Sequence, residues 1–227
     1  MPRVLWESIL DSKVDKSQIS YLPKDMYSGT FGNELTMQNY QSYFDQLPWK
    51  DVFNGRGVKT YKTCWMVNTD TCNCVYRYGK QAIPPVKFDE TTSALTSKVM
   101  QLCNYEEDHF NSCNLNAYLE ADQYVEWHAD NEALFIKTHF DRNVDIVSLS
   151  MGGKRNMVFR KKMGDIVAEI SLSDGDLCFM GGRLQDHFQH HIPKWTQDKC
   201  GPFAPRVNLT WRTIKKHCKG CPLRASN

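Results

Sequence analysis

The sequence predicts an α+β chain that is mainly β, a barrel or sandwich of short strands with helices from the N-terminal half packed outside it. Three observations support this. From about residue 113 onward, short strand-like stretches recur between glycine and aspartate breaks: "NLNAYL", "YVEWHAD", "VDIVSLSM", "NMVFRKK", "DIVAEISL", "GDLCFMG" and "RVNLTWRTI". Before that point the texture is helical. In "ETTSALTSKVMQLCN" (90–104) Leu95, Val99 and Leu102 recur on one helix face, and "QNYQSYFDQLPW" (38–49) is a second candidate. Finally, 41% of the 227 residues are hydrophobic, enough for one sizeable core. With no repeat, low-complexity run or proline- and glycine-rich linker, the chain reads as one domain with an N-terminal elaboration.

No apolar run approaches membrane-spanning length, so no membrane contact is expected. The start, "MPRVLWESILDSKVDKSQ", has scattered charges and does not read as a signal peptide. The nine cysteines are an odd number in a chain that is not small. Reduced thiols and an intracellular protein, nuclear or cytoplasmic, follow as expectations. The "NLT" sequon at Asn208 is therefore set aside. A net charge of +2 excludes little. Basic residues do cluster, as Lys154, Arg155, Arg160, Lys161 and Lys162 in "GKRNMVFRKK" and again in the tail "IKKHCKGCPLR". These are either solvated faces or a phosphate-facing rim.

The last strand candidate is the most informative. In "PRVNLTWRTI" Val207, Leu209 and Trp211 alternate with Arg206, Asn208, Thr210 and Arg212. If the apolar face packs on outer helices, the polar face looks into the barrel, where buried arginines need anions. A bound dicarboxylate would supply them. In "YVEWHADNEALF", His128, Asp130 and Glu132 stand on alternate residues, so an extended segment would put them on one face. An imidazole and a carboxylate there, joined by a distant histidine, make the two-His-one-carboxylate set of non-haem iron(II) oxygenases. The same ligand types also bind zinc in hydrolases. The distal candidates are His187, His190 and His191 in "RLQDHFQHHIPK", while His109, His139 and His217 read as ordinary surface residues.

The order of "NLNAYLEADQYVEWHADNE", "SLSMGGKRNMVFR", "GDLCFMGGRLQDHFQHHIPK" and "PRVNLTWR" resembles the AlkB family of 2-oxoglutarate-dependent nucleic-acid dealkylases over residues 60–214. His-x-Asp alone is a weak signal; in register with Arg-x-Asn-x-Thr-x-Arg it is strong. The resemblance implies a double-stranded β-helix (jelly-roll or cupin-like) core with N-terminal helices and a nucleotide-recognition lid. It implies iron(II), 2-oxoglutarate and O2, with His128, Asp130 and His190 as the catalytic metal ligands. Asn116, Tyr118, Arg206, Asn208 and Arg212 would hold the cosubstrate, with Arg206 on its distal carboxylate and Arg212 near the metal. Glu132 would contact the damaged base, and Tyr76 and Tyr78 in "CVYRYGK" would belong to the lid. The Pro-Trp that often follows the lid in that family is replaced here by "IPPVKF".

On this reading residues 1–55 are the N-terminal elaboration and 56–110 the lid with its supporting helix. Residues 111–216 are the double-stranded β-helix, and 217–227 a basic cysteine-containing tail. The expected activity is oxidative dealkylation of N-alkylated bases in DNA or RNA by a monomer. The alternatives are a hydroxylase of protein or small molecules on the same scaffold, and a non-catalytic nucleic-acid-binding module. Cys200, Cys218, Cys221 and the neighbouring His217 do not have the spacing of a standard zinc site, so plain thiols and no structural zinc are expected.

Overall fold

A computed structural model describes residues 6–31, 35–69, 71–78 and 81–224. In chain order the first half holds β1 (Glu7–Asp11), β2 (Ser17–Leu22), α1 (Asp25–Phe31), α2 (Met37–Phe44), β3 (Lys50–Phe53) and β4 (Lys59–Val67). The hairpin β5 (Tyr76–Tyr78) and β6 (Gln81–Ile83), then β7 (Val86–Lys87) and α3 (Glu90–Cys103), follow. The second half runs β8 (Ser112–Tyr118), β9 (Val125–His128), β10 (Ile146–Gly152), β11 (Arg155–Lys161), β12 (Ile166–Leu172) and β13 (Leu177–Gly182). It ends with α4 (Leu184–His187), β14 (Phe188–Ile192), α5 (Gln197–Cys200) and β15 (Arg206–Arg212).

The described strands form a large sheet ordered β1-β2-β13-β10-β15-β8-β4-β3, with β7 beside β4, and a smaller sheet ordered β12-β11-β14-β9. Side chains from both sheets meet in one apolar cluster that includes Ile146, Phe159, Met180 and Ile192. This is the jelly-roll arrangement expected from the sequence. The described part of residues 1–55, read as an elaboration, builds into both margins of the large sheet. There β2 pairs with β13 from Leu22↔Leu177 to Ser17↔Gly182, and β3 pairs with β4. The approach is close at Gly182, where φ is +63° and a Cβ would lie 1.7 Å from the Lys16 carbonyl oxygen.

Strand β15 lies in the middle of the large sheet between β10 and β8, and all seven of its residues are buried. Its apolar residues Val207, Leu209 and Trp211 pack with Leu95, Val99 and Leu102 of α3. Trp211 also donates its indole N–H to Thr96 Oγ1 at 2.8 Å. The period-2 alternation of the strand thus meets the helical repeat of α3, leaving the polar residues of β15 for the interior. Helix α3 starts at Asp89, whose carboxylate accepts from the Thr92 amide at 2.7 Å, and ends at Asn104 in the left-handed conformation (φ 56°). Asp89→Ala is expected to cost roughly 0.5–2 kcal/mol of stability. Urea denaturation checks this; an unchanged midpoint would show that the cap contributes nothing.

One expectation needs correction, and one strand is not among the sequence candidates. The helix over 38–49 stops at Phe44, because Pro48 disfavours helical backbone at Leu47, and the Trp49 indole N–H takes the Phe44 carbonyl at 2.8 Å. The segment "FQHHI" forms β14, a strand the apolar pattern hides because two histidines interrupt it.

Candidate metal centre and cosubstrate cavity

Antiparallel pairing of β14 with β9 sets His190 directly opposite His128, with ring centroids 4.2 Å apart. Strand β9 ends at His128, so Asp130 and Glu132 do not continue an extended face as their spacing suggested. Asp130 reaches the histidines because other residues hold it. Its amide N–H donates to Gln185 Oε1 at 2.9 Å, and its Oδ2 accepts from Arg212 Nη2 at 2.6 Å. Asp130 Oδ1 then lies 4.0 Å from His128 Nε2, and Oδ2 lies 3.8 Å from His190 Nε2. One ligand atom from each of His128, Asp130 and His190 falls within 4.8 Å of the others.

The protonation pattern suits a cation. His128 Nδ1 lies 2.8 Å from the Glu126 carbonyl oxygen. A carbonyl only accepts, so Nδ1 carries a hydrogen and Nε2 is the ring nitrogen that faces Asp130. Burial, followed by repulsion from His128, pushes His190 down to about 3, so its imidazole is neutral. Burial opposes charge on Asp130, but the Arg212 guanidinium beside it outweighs burial and holds the carboxyl well below the usual range. These donors fit a divalent ion such as iron(II).

The other histidines point elsewhere. On β14 the alternation turns His191 to the opposite face, where it stacks on Trp127 at 3.9 Å, with Arg160 4.2 Å from the same indole. His187 ends α4 and its carbonyl accepts from the Lys162 amide at 3.0 Å. His109 stacks on Tyr105 at 3.7 Å, and His139 is exposed. His217, read as a surface residue, instead joins a cysteine cluster described below.

His128, Asp130 and His190 open onto a cavity also lined by Asn116, Tyr118, Asn208, Thr210 and Arg212. Asn116 Oδ1 accepts from Asn114 Nδ2 at 3.0 Å. Arg206 does not itself line the wall, but the ring of Tyr118 (5.3 Å from the guanidinium carbon) and Asn208 beside it do. Its Nε donates to Ser150 Oγ at 2.7 Å and its Nη2 to Asn208 Oδ1 at 2.6 Å. Nη1 is buried with no partner among the described residues. Burial pushes Arg206 down to about 10. Arg212 pairs with Asp130, yet its Nε and Nη1 are also buried and unmatched among the described residues. Unmatched buried donors are costly, and here they belong to one cavity-lining arginine and to a second directly behind the wall, as expected for a site built to take an anion.

Tyr76 lines the same cavity but is 4% exposed, stacked on Trp65 at 5.1 Å, so it is part of the wall rather than a free platform. Tyr78 ends β5 opposite Gln81, and its side chain lies outside the described residues. Glu132 is not a lining residue. Its Oε2 is buried without a partner among the described residues. Burial, then the charge on Asp130, pushes its carboxyl up to about 7. Within the basic cluster, Arg155 is no rim residue. It is 1% exposed and donates through Nη2 to the carbonyls of Gln123 (2.6 Å) and Pro193 (2.5 Å). Lys154, Lys161 and Lys162 are exposed.

Comparison with known proteins agrees with this geometry. Residues 25–212 match the family model described as the 2OG-Fe(II) oxygenase superfamily. The chain belongs to that superfamily. Among curated relatives of this oxygenase, human alpha-ketoglutarate-dependent dioxygenase alkB homolog 3 is 35% identical over 122 residues, 50% of this chain and 40% of that protein. DNA oxidative demethylase ALKBH2 of Arabidopsis thaliana is 27% identical over 217 residues, 79% of this chain and 64% of that protein. The oxygenase chain thus spans less than two thirds of either relative. The solved structure of OsALKBH1 superposes with a TM-score of 0.54 at 16% identity, covering 86% of this chain and 96% of that one, which supports the fold. The AlkB resemblance read from the motifs is borne out by these matches.

Sequence reasoning missed Gln185 and Ser150, which place Asp130 and Arg206. Neither has a local signal, because each acts through a partner at least 55 residues away in sequence.

Proposed function

We propose that the chain is an iron(II)- and 2-oxoglutarate-dependent dioxygenase that oxidatively dealkylates N-alkylated bases in DNA or RNA. The reading rests chiefly on one juxtaposition: the His128–Asp130–His190 cluster and Arg212, with its unmatched guanidinium donors, line the same cavity, and Arg206 lies directly behind its wall residues Tyr118 and Asn208. The names of the relatives, an alkB homolog and a DNA oxidative demethylase, favour an alkylated base over other substrates.

In this proposal His128 Nε2, His190 Nε2 and an Asp130 oxygen would hold the metal. When bound, iron(II) with 2-oxoglutarate would supply the oxidation of an N-alkyl carbon by O2, the cosubstrate leaving as succinate and carbon dioxide and the hydroxylated base releasing an aldehyde. Arg212 fixes Asp130 as a carboxylate, and Gln185 holds its backbone. Arg206, with Asn208, Tyr118 and Asn116 around it, would orient the distal carboxylate of the cosubstrate through a planar guanidinium fork. The target base must leave its stack to enter, which is easiest on single strands or at lesions. Glu132 would accept from the base's exocyclic amine and favour a cationic methylated base, and the lid tyrosines Tyr76 and Tyr78 would flank it.

Glu132 separates recognition from chemistry, since the metal cluster is complete without it. Glu132→Ala should leave decarboxylation of 2-oxoglutarate in the absence of nucleic acid nearly intact. Repair of a methylated oligonucleotide should fall about ten- to a hundred-fold, the value of a charge-assisted hydrogen bond felt in the transition state. Wild-type repair of every methylated base by this variant would remove Glu132 from the substrate site.

A further inference from the structure

A second cluster of metal-ligating residue types lies outside the cavity. Cys72 and Cys74, between β4 and β5, meet His217 and Cys221, which follow β15. One ligand atom from each of the four lies within 4.8 Å of all the others. His217 Nδ1 is 3.6 Å from Cys72 Sγ, 3.6 Å from Cys74 Sγ and 3.4 Å from Cys221 Sγ. We propose that these four residues form a structural zinc site.

The geometry matches the chemistry of that ion. Tetrahedral zinc with Zn–S of about 2.3 Å and Zn–N of about 2.0–2.1 Å sets its nitrogen and sulfur ligands about 3.5–3.6 Å apart. The three observed nitrogen–sulfur separations fall within about 0.2 Å of that, a tolerance ordinary for metal sites. Three thiolates and one imidazole are the donors that select zinc over oxygen-seeking cations. Binding releases three thiol protons and changes no oxidation state. The surroundings are built as well: the Cys218 amide N–H donates to Cys74 Sγ at 3.1 Å, a bond that supports a thiolate. Gly220, at φ +86°, turns the chain so that His217 and Cys221 converge, and its carbonyl accepts from Asn73 Nδ2 at 3.3 Å.

The expectation of no zinc rests on the tail residues alone. Spacing around Cys218 and Cys221 shows only half of the ligand set, and the other half lies 145 residues upstream. Cys200 and Cys218 do not belong to the set. The site clamps two segments that serve the cavity. The Cys74 carbonyl accepts from the Trp65 indole at 2.9 Å, and Trp65 stacks on the cavity residue Tyr76. His217 and Cys221 anchor the chain just after Arg212, the partner of Asp130. Zinc therefore ties the start of the lid hairpin to the end of the cosubstrate strand.

The test is elemental analysis of the full chain expressed in zinc-containing medium and dialysed against a weak chelator. One zinc per chain is expected, both in wild type and in His190→Ala, which excludes zinc lodged in the oxygenase cluster. Cys200→Ser should keep it and the double variant Cys72→Ser, Cys221→Ser should lose it. Should that double variant not fold, cobalt(II) substitution of the wild type decides. A thiolate-to-cobalt charge-transfer band with intense tetrahedral visible bands supports the site, since the His128–Asp130–His190 cluster has no sulfur. Absence of zinc from the wild type, absence of the thiolate–cobalt band, or zinc retained by a folded double variant would each overturn it.

Discussion

His128→Ala, Asp130→Ala and His190→Ala are each expected to reduce 2-oxoglutarate turnover to background, while His187→Ala and His191→Ala keep most of it. The cluster contains the first three residues and neither of the others. Loss should exceed the roughly 10–100-fold typical when only a residue that orients a ligand is removed, a level that Gln185→Ala should show through Asp130. The variants differ in side effects. Asp130→Ala strands Arg212 as an unpaired buried charge, which typically costs roughly 3–5 kcal/mol of stability. His190→Ala removes a neutral imidazole and leaves that pair intact, so it is the cleaner substitution. Iron binding and succinate formation, measured on variants shown to be folded by thermal melting, check the assignment. Iron binding lost in His187→Ala but kept in His190→Ala would reverse it.

Arg206→Lys should weaken 2-oxoglutarate binding substantially. Removing one member of a buried ion pair costs roughly 3–5 kcal/mol, and a lysine recovers part of that because it keeps the charge without the planar fork. In the protein without cosubstrate, the guanidinium already uses Nε and Nη2 on Ser150 and Asn208, so Nη1 is its unmatched donor. A lysine ammonium cannot hold Ser150 and Asn208 and still present a donor in the same place. Anaerobic titration of the iron complex, followed by its charge-transfer absorption, reads the change. An unchanged dissociation constant would exclude Arg206 as the carboxylate clamp.

Strand β15 and the residues of the His128–Asp130–His190 cluster are legible because their signals are local or motif-borne. Alternation in "RVNLTWR" survives burial of both faces, since one face is apolar and the other carries the arginines, the amide and the hydroxyl. His128 and His190 were legible through the resemblance, and β-pairing then explains why they meet. Where the reading failed, the deciding contact was long-range. Asp130 and Glu132 alternate with His128, but the strand stops first, and Asp130 is positioned by Gln185 and Arg212. Arg155 looked like a surface cation because nothing local shows that the carbonyls of Gln123 and Pro193 await it. The cluster of Cys72, Cys74, His217 and Cys221 is assembled from two distant segments and so has no single spacing to recognise.

The central claim is that this cavity brings an alkylated base to an oxygenase centre. Mass spectrometry of a panel of methylated DNA and RNA oligonucleotides, incubated with the protein, iron(II), ascorbate and 2-oxoglutarate, tests it most directly. The predicted result is loss of the methyl group from at least one base, with succinate formed alongside and neither product seen with His190→Ala. Turnover of 2-oxoglutarate with every oligonucleotide left unchanged would contradict the claim and point instead to a hydroxylase of protein or small molecules.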